Sequence, residues 1–130
     1  MKSDKVILIL RITVAIILIQ TLRFKFTAHP DSVYIFETVG LEPYGRIGIG
    51  ILELVTGILL LIPKTVWAGA LLTLGIIGGA IAMHLTQLGI EVNGDGGVLF
   101  YTAIITFLLS AVIFYYFRKD IPIVGKKLRF

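Results

Sequence analysis

The stretch Ile47–Ile62, IGIGILELVTGILLLI, is followed by Pro63-Lys64-Thr65 and then by Val66–Leu88, VWAGALLTLGIIGGAIAMHLTQL. Both runs are apolar and continuous rather than alternating, so neither reads as a barrel strand. Crossing about 30 Å of hydrocarbon takes roughly 20 apolar residues in a helix. The first run has 16 residues and borrows Tyr44–Arg46 as an interfacial extension. A three-residue connection opening on proline forces the two helices antiparallel. A membrane-spanning helical hairpin is therefore the centre of the fold.

Two further runs flank this hairpin. Val6–Leu22 is apolar apart from Arg11, Thr13, Gln20 and Thr21, and Val98–Phe117 is stopped by Arg118-Lys119-Asp120. The first is read as a retained helix rather than a cleaved signal peptide. Arg11 interrupts its core and no small-x-small cleavage site follows. The predicted fold is all-α: one integral membrane four-helix bundle, with helices about 6–22, 47–62, 66–88 and 98–117 and a basic tail over 118–130. Composition agrees, at 57% hydrophobic and 15% charged residues with a mean hydropathy of +0.97. An ordinary soluble domain is nearer 45–50% apolar and about 25% charged, and 130 residues cannot hide such an excess inside. With no cysteine in the chain, disulfides, thiolate nucleophiles, iron–sulfur clusters and cysteine-bound zinc are excluded.

The long link Arg23–Arg46 contains Pro30–Val39, with proline early and acidic residues following, as at a helix start. It reads as a short helix lying on the membrane surface or re-entering it, with a simple outer loop as the alternative. The Gly89–Gly97 loop lacks both EF-hand spacing and the Lys-Ser/Thr of a phosphate loop, and reads as a turn capping the third and fourth helices.

Basic residues set the orientation. Lys2, Lys5, Lys64, Arg118, Lys119, Lys126, Lys127 and Arg129 share one side with both termini, against Arg23, Lys25 and Arg46 on the other. Both termini are placed in the cytoplasm of a multi-pass plasma-membrane protein. Trp67 and the Tyr115-Tyr116 pair fall at the inner interface, Tyr44 and Tyr101 at the outer one. The net charge of +4 is a topology signal and an anionic-lipid contact, not a nucleic-acid footprint.

Polar residues gather at one depth. Gln20 and Arg23 end the first helix on the outer side, and Glu53 lies about 9 Å below Ile47 at a 1.5 Å rise per residue. His84 lies about 6 Å below Leu88 by the same rise, and Tyr101 and Thr102 open the fourth helix. Arg46, Gly50, Glu53 and Gly57 form one stripe, His84 and Gln87 share a face at i, i+3, and Thr102, Thr106 and Ser110 form an i+4 row. Gly75 and Gly79 form a small surface for a close helix approach. A charge in hydrocarbon faces inward with a partner, and Glu53 has Arg46, His84, Arg23 or Lys25 as candidates. His84, Glu53 and Asp95 are too few for a convincing metal site, so none is assigned. Arg11 lies near enough to the inner face to snorkel. A pair that only pins helices together is the alternative reading of the cluster.

The segments Leu22-Arg23-Phe24-Lys25, Gly50-Ile51-Leu52-Glu53-Leu54-Val55-Thr56-Gly57, Leu61-Ile62-Pro63 and Ala82-Met83-His84, with Asn93, resemble the DoxX-like family of small four-helix membrane proteins. The resemblance spans about Val6 to Phe117. It implies functional positions at Glu53, at Lys25 or Arg23, and at His84. It also implies membrane subunits of quinone-linked sulfur oxidation or of redox defence. The expectation is a small subunit in the lipid bilayer binding a quinone-like or other small ligand through Glu53, His84, Arg23, Lys25, Arg46, Gln87, Gln20, Tyr101 and Asn93. Without cysteine or paired axial histidines the chain needs a soluble or membrane redox partner to pass electrons, and self-association into a homo-oligomer is left open. A small-molecule transport module gated by Pro30–Val39, or a structural anchor without ligand, are the competing expectations.

Overall fold

The computed structural model describes residues 2–122, with the side chains of residues 4–122. The elements are α1 (Lys2–Gln20), α2 (Leu22–Phe26), α3 (Pro30–Thr38), α4 (Tyr44–Leu61), α5 (Val66–Met83) continued by a π-helical turn (His84–Leu88), and α6 (Val98–Tyr116). No strand occurs among the described residues. Asp4–Phe26, Tyr44–Leu61, Pro63–Leu88 and Val98–Tyr116 are each long and apolar enough to cross a membrane. The four expected spans recur with ends moved by a few residues, and Tyr44–Arg46 joins its helix as the length argument required. Of the basic tail, Arg118–Asp120 forms a short 3-10 turn; residues 123–130 lie outside the described chain.

Pro63–Thr65 makes the 3-10 turn of the hairpin between α4 and α5. α1 packs on α4 and α6, and α5 packs on the same two, closing a four-helix ring. Val14, Ala15 and Leu18 of α1 meet Leu60, Val66, Ala70 and Ile113 in a dry core toward the Pro63–Thr65 end. Ile9, Ile16, Ile51, Ile58, Leu71, Ile105 and Leu108 stay exposed around the outside. A contiguous apolar belt of this kind suits hydrocarbon, not water.

Small residues decide where helices touch. A Cβ on Gly69 would lie 2.9 Å from the Leu60 backbone nitrogen, so α4 and α5 cross closely there. On α4, Arg46, Gly50, Glu53 and Gly57 are all buried, and Gly50 and Gly57 seat the side chains of Phe26 and Ile19. The expected stripe is thus real. Gly75 and Gly79 differ from expectation: a Cβ on either would meet nothing within 4 Å. Beyond the Gly69 crossing these two glycines face open space, so they shape a void rather than a helix contact.

Arg11 also departs from the snorkelling expectation. It is buried, donates from Nε to the Leu60 carbonyl at 2.9 Å and from a terminal nitrogen to the Leu61 carbonyl at 3.2 Å. The guanidinium carbon lies 5.7 Å from the Phe117 ring centroid. The last carbonyls of α4 have no partner within their own helix, and a cation complements that end of the helix dipole. Arg11 therefore caps α4 instead of reaching for water.

Candidate functional site

α1 gives way to α2 at Thr21. The Thr21 hydroxyl lies 2.8 Å from the Leu18 carbonyl, a back-bond that competes with the helix ladder and bends it. One turn on, the Lys25 ammonium lies 2.7 Å from Oε1 of Glu53, an oxygen with no other partner. The Thr21 hydroxyl shares its one hydrogen between the Leu18 carbonyl and Glu53 Oε2, the latter at 3.2 Å, and Lys25 Nζ donates to Thr21 Oγ1 at 3.3 Å. Glu53 is 3% exposed. Its buried carboxylate is therefore compensated by a cation and a hydroxyl from one adjacent turn, as a charge in hydrocarbon requires.

His84 stands at the first residue of the π-helical turn that continues α5, with partners separate from those of Glu53. Its Nδ1 is 2.9 Å from the Gly89 carbonyl, and its ring meets Phe100 edge-on at 5.4 Å. Gly89 has φ +79°, a left-handed conformation that suits glycine and lets the chain leave the helix there. Single π turns are often found at functional positions.

The loop to α6 is organised by Asp95. One oxygen accepts from the backbone N–H groups of Val92 and Gly97 at 3.0 and 2.8 Å, and the other from Leu99 at 3.1 Å. Burial pushes the Asp95 carboxyl up, but these three donors and the field of His84 outweigh it and hold its pKa below the ordinary value. The loop is the helix-capping turn expected from sequence.

α3 forms as its sequence indicates, with Pro30 at its first position and His29 Nδ1 accepting from the Asp31 N–H at 3.2 Å. It buries Ser32 and Phe36. Asn93 donates to Asp31 across the loops at 2.8 Å, tying α3 to the α5–α6 connection.

These elements line a partly open cavity of about 630 Å³, with walls from α1, α2, α3, α4, α5, the π turn and α6. Its walls are mainly Ile17, Leu18, Ile35, Phe36, Ile76, Ile77, Met83 and Leu88, with Lys25, Glu53, His84, Thr21, Ser32 and Thr102 supplying polar groups. Gly75 and Gly79 belong to its wall, which explains their open surroundings. Small-molecule sites are commonly concave, largely apolar, and carry few polar groups, at volumes of about 300–1,000 Å³.

The sequence-derived candidates divide clearly. Glu53, His84, Lys25 and Gln20 line the cavity. Lys25 is the cation that Glu53 uses; Glu53 and His84 share the cavity through separate partners. Arg46 is buried but holds Glu42, with Nε at 2.9 and 3.0 Å from the two oxygens, and the backbone carbonyl of Lys25. It positions Lys25 without lining the cavity. Arg23 is exposed and lies over the Phe24 ring at 5.1 Å. Gln87 is exposed: each residue of a π turn rotates by less than in an α-helix, so i+3 no longer returns to the face of His84. Tyr101 is 54% exposed and packs on Phe100 outside the cavity, and Asn93 is an exposed tether.

Thr21 and Ser32, which are not among the sequence-derived candidates, also line the cavity. Their signals were the i, i+4 pairs Thr21–Lys25 and Ser32–Phe36, each on one helix face. No group of three or more His, Cys, Asp or Glu side chains able to hold a metal occurs among the described residues.

No family model, no curated protein and no solved structure matches the chain.

Proposed function

We propose that this chain is a small DoxX-like membrane protein that holds a quinone-like ligand between its helices as part of a redox-linked complex. One observation carries the reading: a cavity of about 630 Å³ with largely apolar walls is lined by half-buried Lys25 and by buried Glu53 and His84. A purely structural ion pair needs no void beside it, since interiors otherwise close to native packing density. Apolar walls suit a ligand that partitions into lipid, and a few directional polar groups orient its head. The cavity lies in the half of the bundle away from the termini. With both termini in the cytoplasm of the plasma membrane, as the basic residues indicate, the ligand sits toward the outer leaflet. Electrons reach or leave it through a partner protein.

The test is saturable binding of a decyl-substituted benzoquinone to the full chain in nanodiscs, with empty nanodiscs subtracting partition into lipid. Gly79→Trp places an indole in the open space beside Gly79 and is expected to abolish saturable binding while leaving helical content unchanged. Absence of saturable binding, or binding indifferent to a folded Gly79→Trp, would overturn the proposal.

A further inference from the structure

We infer that, among the quinone-like ligands the cavity admits, it prefers a head that offers a hydroxyl hydrogen to Nε2 of His84, so that the phenol or hydroquinone binds more tightly than the quinone or ether. The inference rests on the quinone-like reading of the same cavity and follows from an account of which polar groups the protein leaves unused.

Nδ1 of His84 faces the Gly89 carbonyl at 2.9 Å. A carbonyl oxygen can only accept, so Nδ1 carries a proton; in the neutral form of the ring, the form that would recognise the ligand, Nε2 is then an acceptor. Nε2 has no protein partner among the described residues, while His84 is only 6% exposed and forms part of the cavity wall. Asp95 approaches electrostatically, but both of its oxygens are taken by backbone N–H groups. Phe100 meets the ring edge-on and supplies no polar hydrogen. An acceptor in a largely apolar wall is satisfied only by a donor.

The other unused groups do not impose that demand. Two of the three Lys25 ammonium hydrogens are engaged by Glu53 and Thr21, leaving one for a ligand acceptor. The Ser32 hydroxyl is buried, lines the cavity and has no partner among the described residues, and a hydroxyl serves in either sense. A carbonyl or ether oxygen can therefore be met by Lys25 or Ser32, but neither oxygen can satisfy Nε2. The donor requirement is the discriminating one. A site built to hydrogen-bond a hydroxyl rejects the analogue that lacks it far more strongly than an apolar site does.

The experiment compares para-nonylphenol with its methyl ether, para-nonylanisole, for equilibrium binding to the full chain in nanodiscs, with the decyl-substituted benzoquinone alongside. The phenol is expected to bind at least about tenfold more tightly than the ether, the ratio for one hydrogen bond to a buried group. His84→Phe is expected to bring the two within about twofold while the ether keeps its affinity, and His84→Gln, whose amide oxygen still accepts, to retain part of the preference. Equal affinities in the unsubstituted protein, or a full preference surviving in folded His84→Phe, overturn the inference. If the benzoquinone binds saturably without a phenol preference, the cavity reading stands and this inference falls. If nothing binds above empty nanodiscs, both fall. Should His84→Phe not fold, the phenol-to-ether ratio of the unsubstituted protein decides.

Discussion

The Lys25 ammonium and the Glu53 carboxylate, 2.7 Å apart, join α2 to its neighbour α4. Lys25 reaches Glu53 because Thr21 bends the helix just before it and because Arg46 holds the Lys25 carbonyl. Arg46 is itself occupied by Glu42, and Arg23 points away toward the Phe24 ring and the exterior. One cation of three is therefore left for the buried acid.

Removing one member of this pair should cost more than its share. Lys25→Met strands a buried carboxylate, and breaking buried pairs in soluble proteins costs about 3–5 kcal/mol. In denaturant unfolding in detergent, Lys25→Met combined with Glu53→Leu is expected to be less destabilised than the sum of the two single variants by about 1–2 kcal/mol, near the upper end for interhelical polar contacts. Glu53→Gln and His84→Ala, with no shared partner, should add within about 0.5 kcal/mol. Strong coupling between Glu53 and His84 would contradict the described geometry.

The glycines of α5 should respond oppositely to alanine. At Gly69 the new methyl meets the Leu60 backbone, and forcing the helices apart is expected to cost about 1–3 kcal/mol. At Gly75 it meets open space, so the gain in helix propensity, about 0.5–1 kcal/mol, should appear as a neutral or stabilising change. Thermal unfolding of Gly69→Ala and Gly75→Ala in one detergent checks the contrast.

Arg11→Met is expected to destabilise the protein by about 1–3 kcal/mol, because the Leu60 and Leu61 carbonyls lose their donor. Hydrogen exchange should quicken in the last turn of α4 and the Pro63–Thr65 turn. A snorkelling arginine would show neither change.

Asp95 makes the capping loop sensitive to acid. Its folded-state pKa lies below the ordinary value, so its stabilisation is present above the unfolded pKa of about 3.9. It is lost as pH falls through the folded value. Asp95→Asn should be less stable than the parent at neutral pH, and the gap should narrow only below about pH 4. A gap that closes between pH 5 and 8 would point to another group.

Single cysteines in this cysteine-free chain test the orientation. Glu37 and Glu91, both exposed, are expected to label from outside intact cells, and Lys64 and Lys119 only after permeabilisation. Labelling of Lys64 from outside would reverse the topology.

Four continuous apolar runs, a proline-led connection and a glycine-rich loop were enough for the helices, their order and the inward stripe of α4; the face shared by His84 and Gln87 was not, because the π turn carries Gln87 outward. Those features follow from local backbone chemistry and from the length of helix that spans hydrocarbon. The common depth of Glu53, His84 and Thr102 was legible for the same reason, since rise per residue fixes depth along each span. Partner choice was not legible. Arg46, Arg23 and Lys25 are equivalent by charge and depth, and only the bend at Thr21 together with the competing claim of Glu42 on Arg46 leaves Lys25 to Glu53. The opposite fates of Gly69 and Gly75 were hidden too, because a small residue permits close approach without requiring it. The distance between helix axes, set by where α4 and α5 cross, decides which glycine is filled and which opens a cavity.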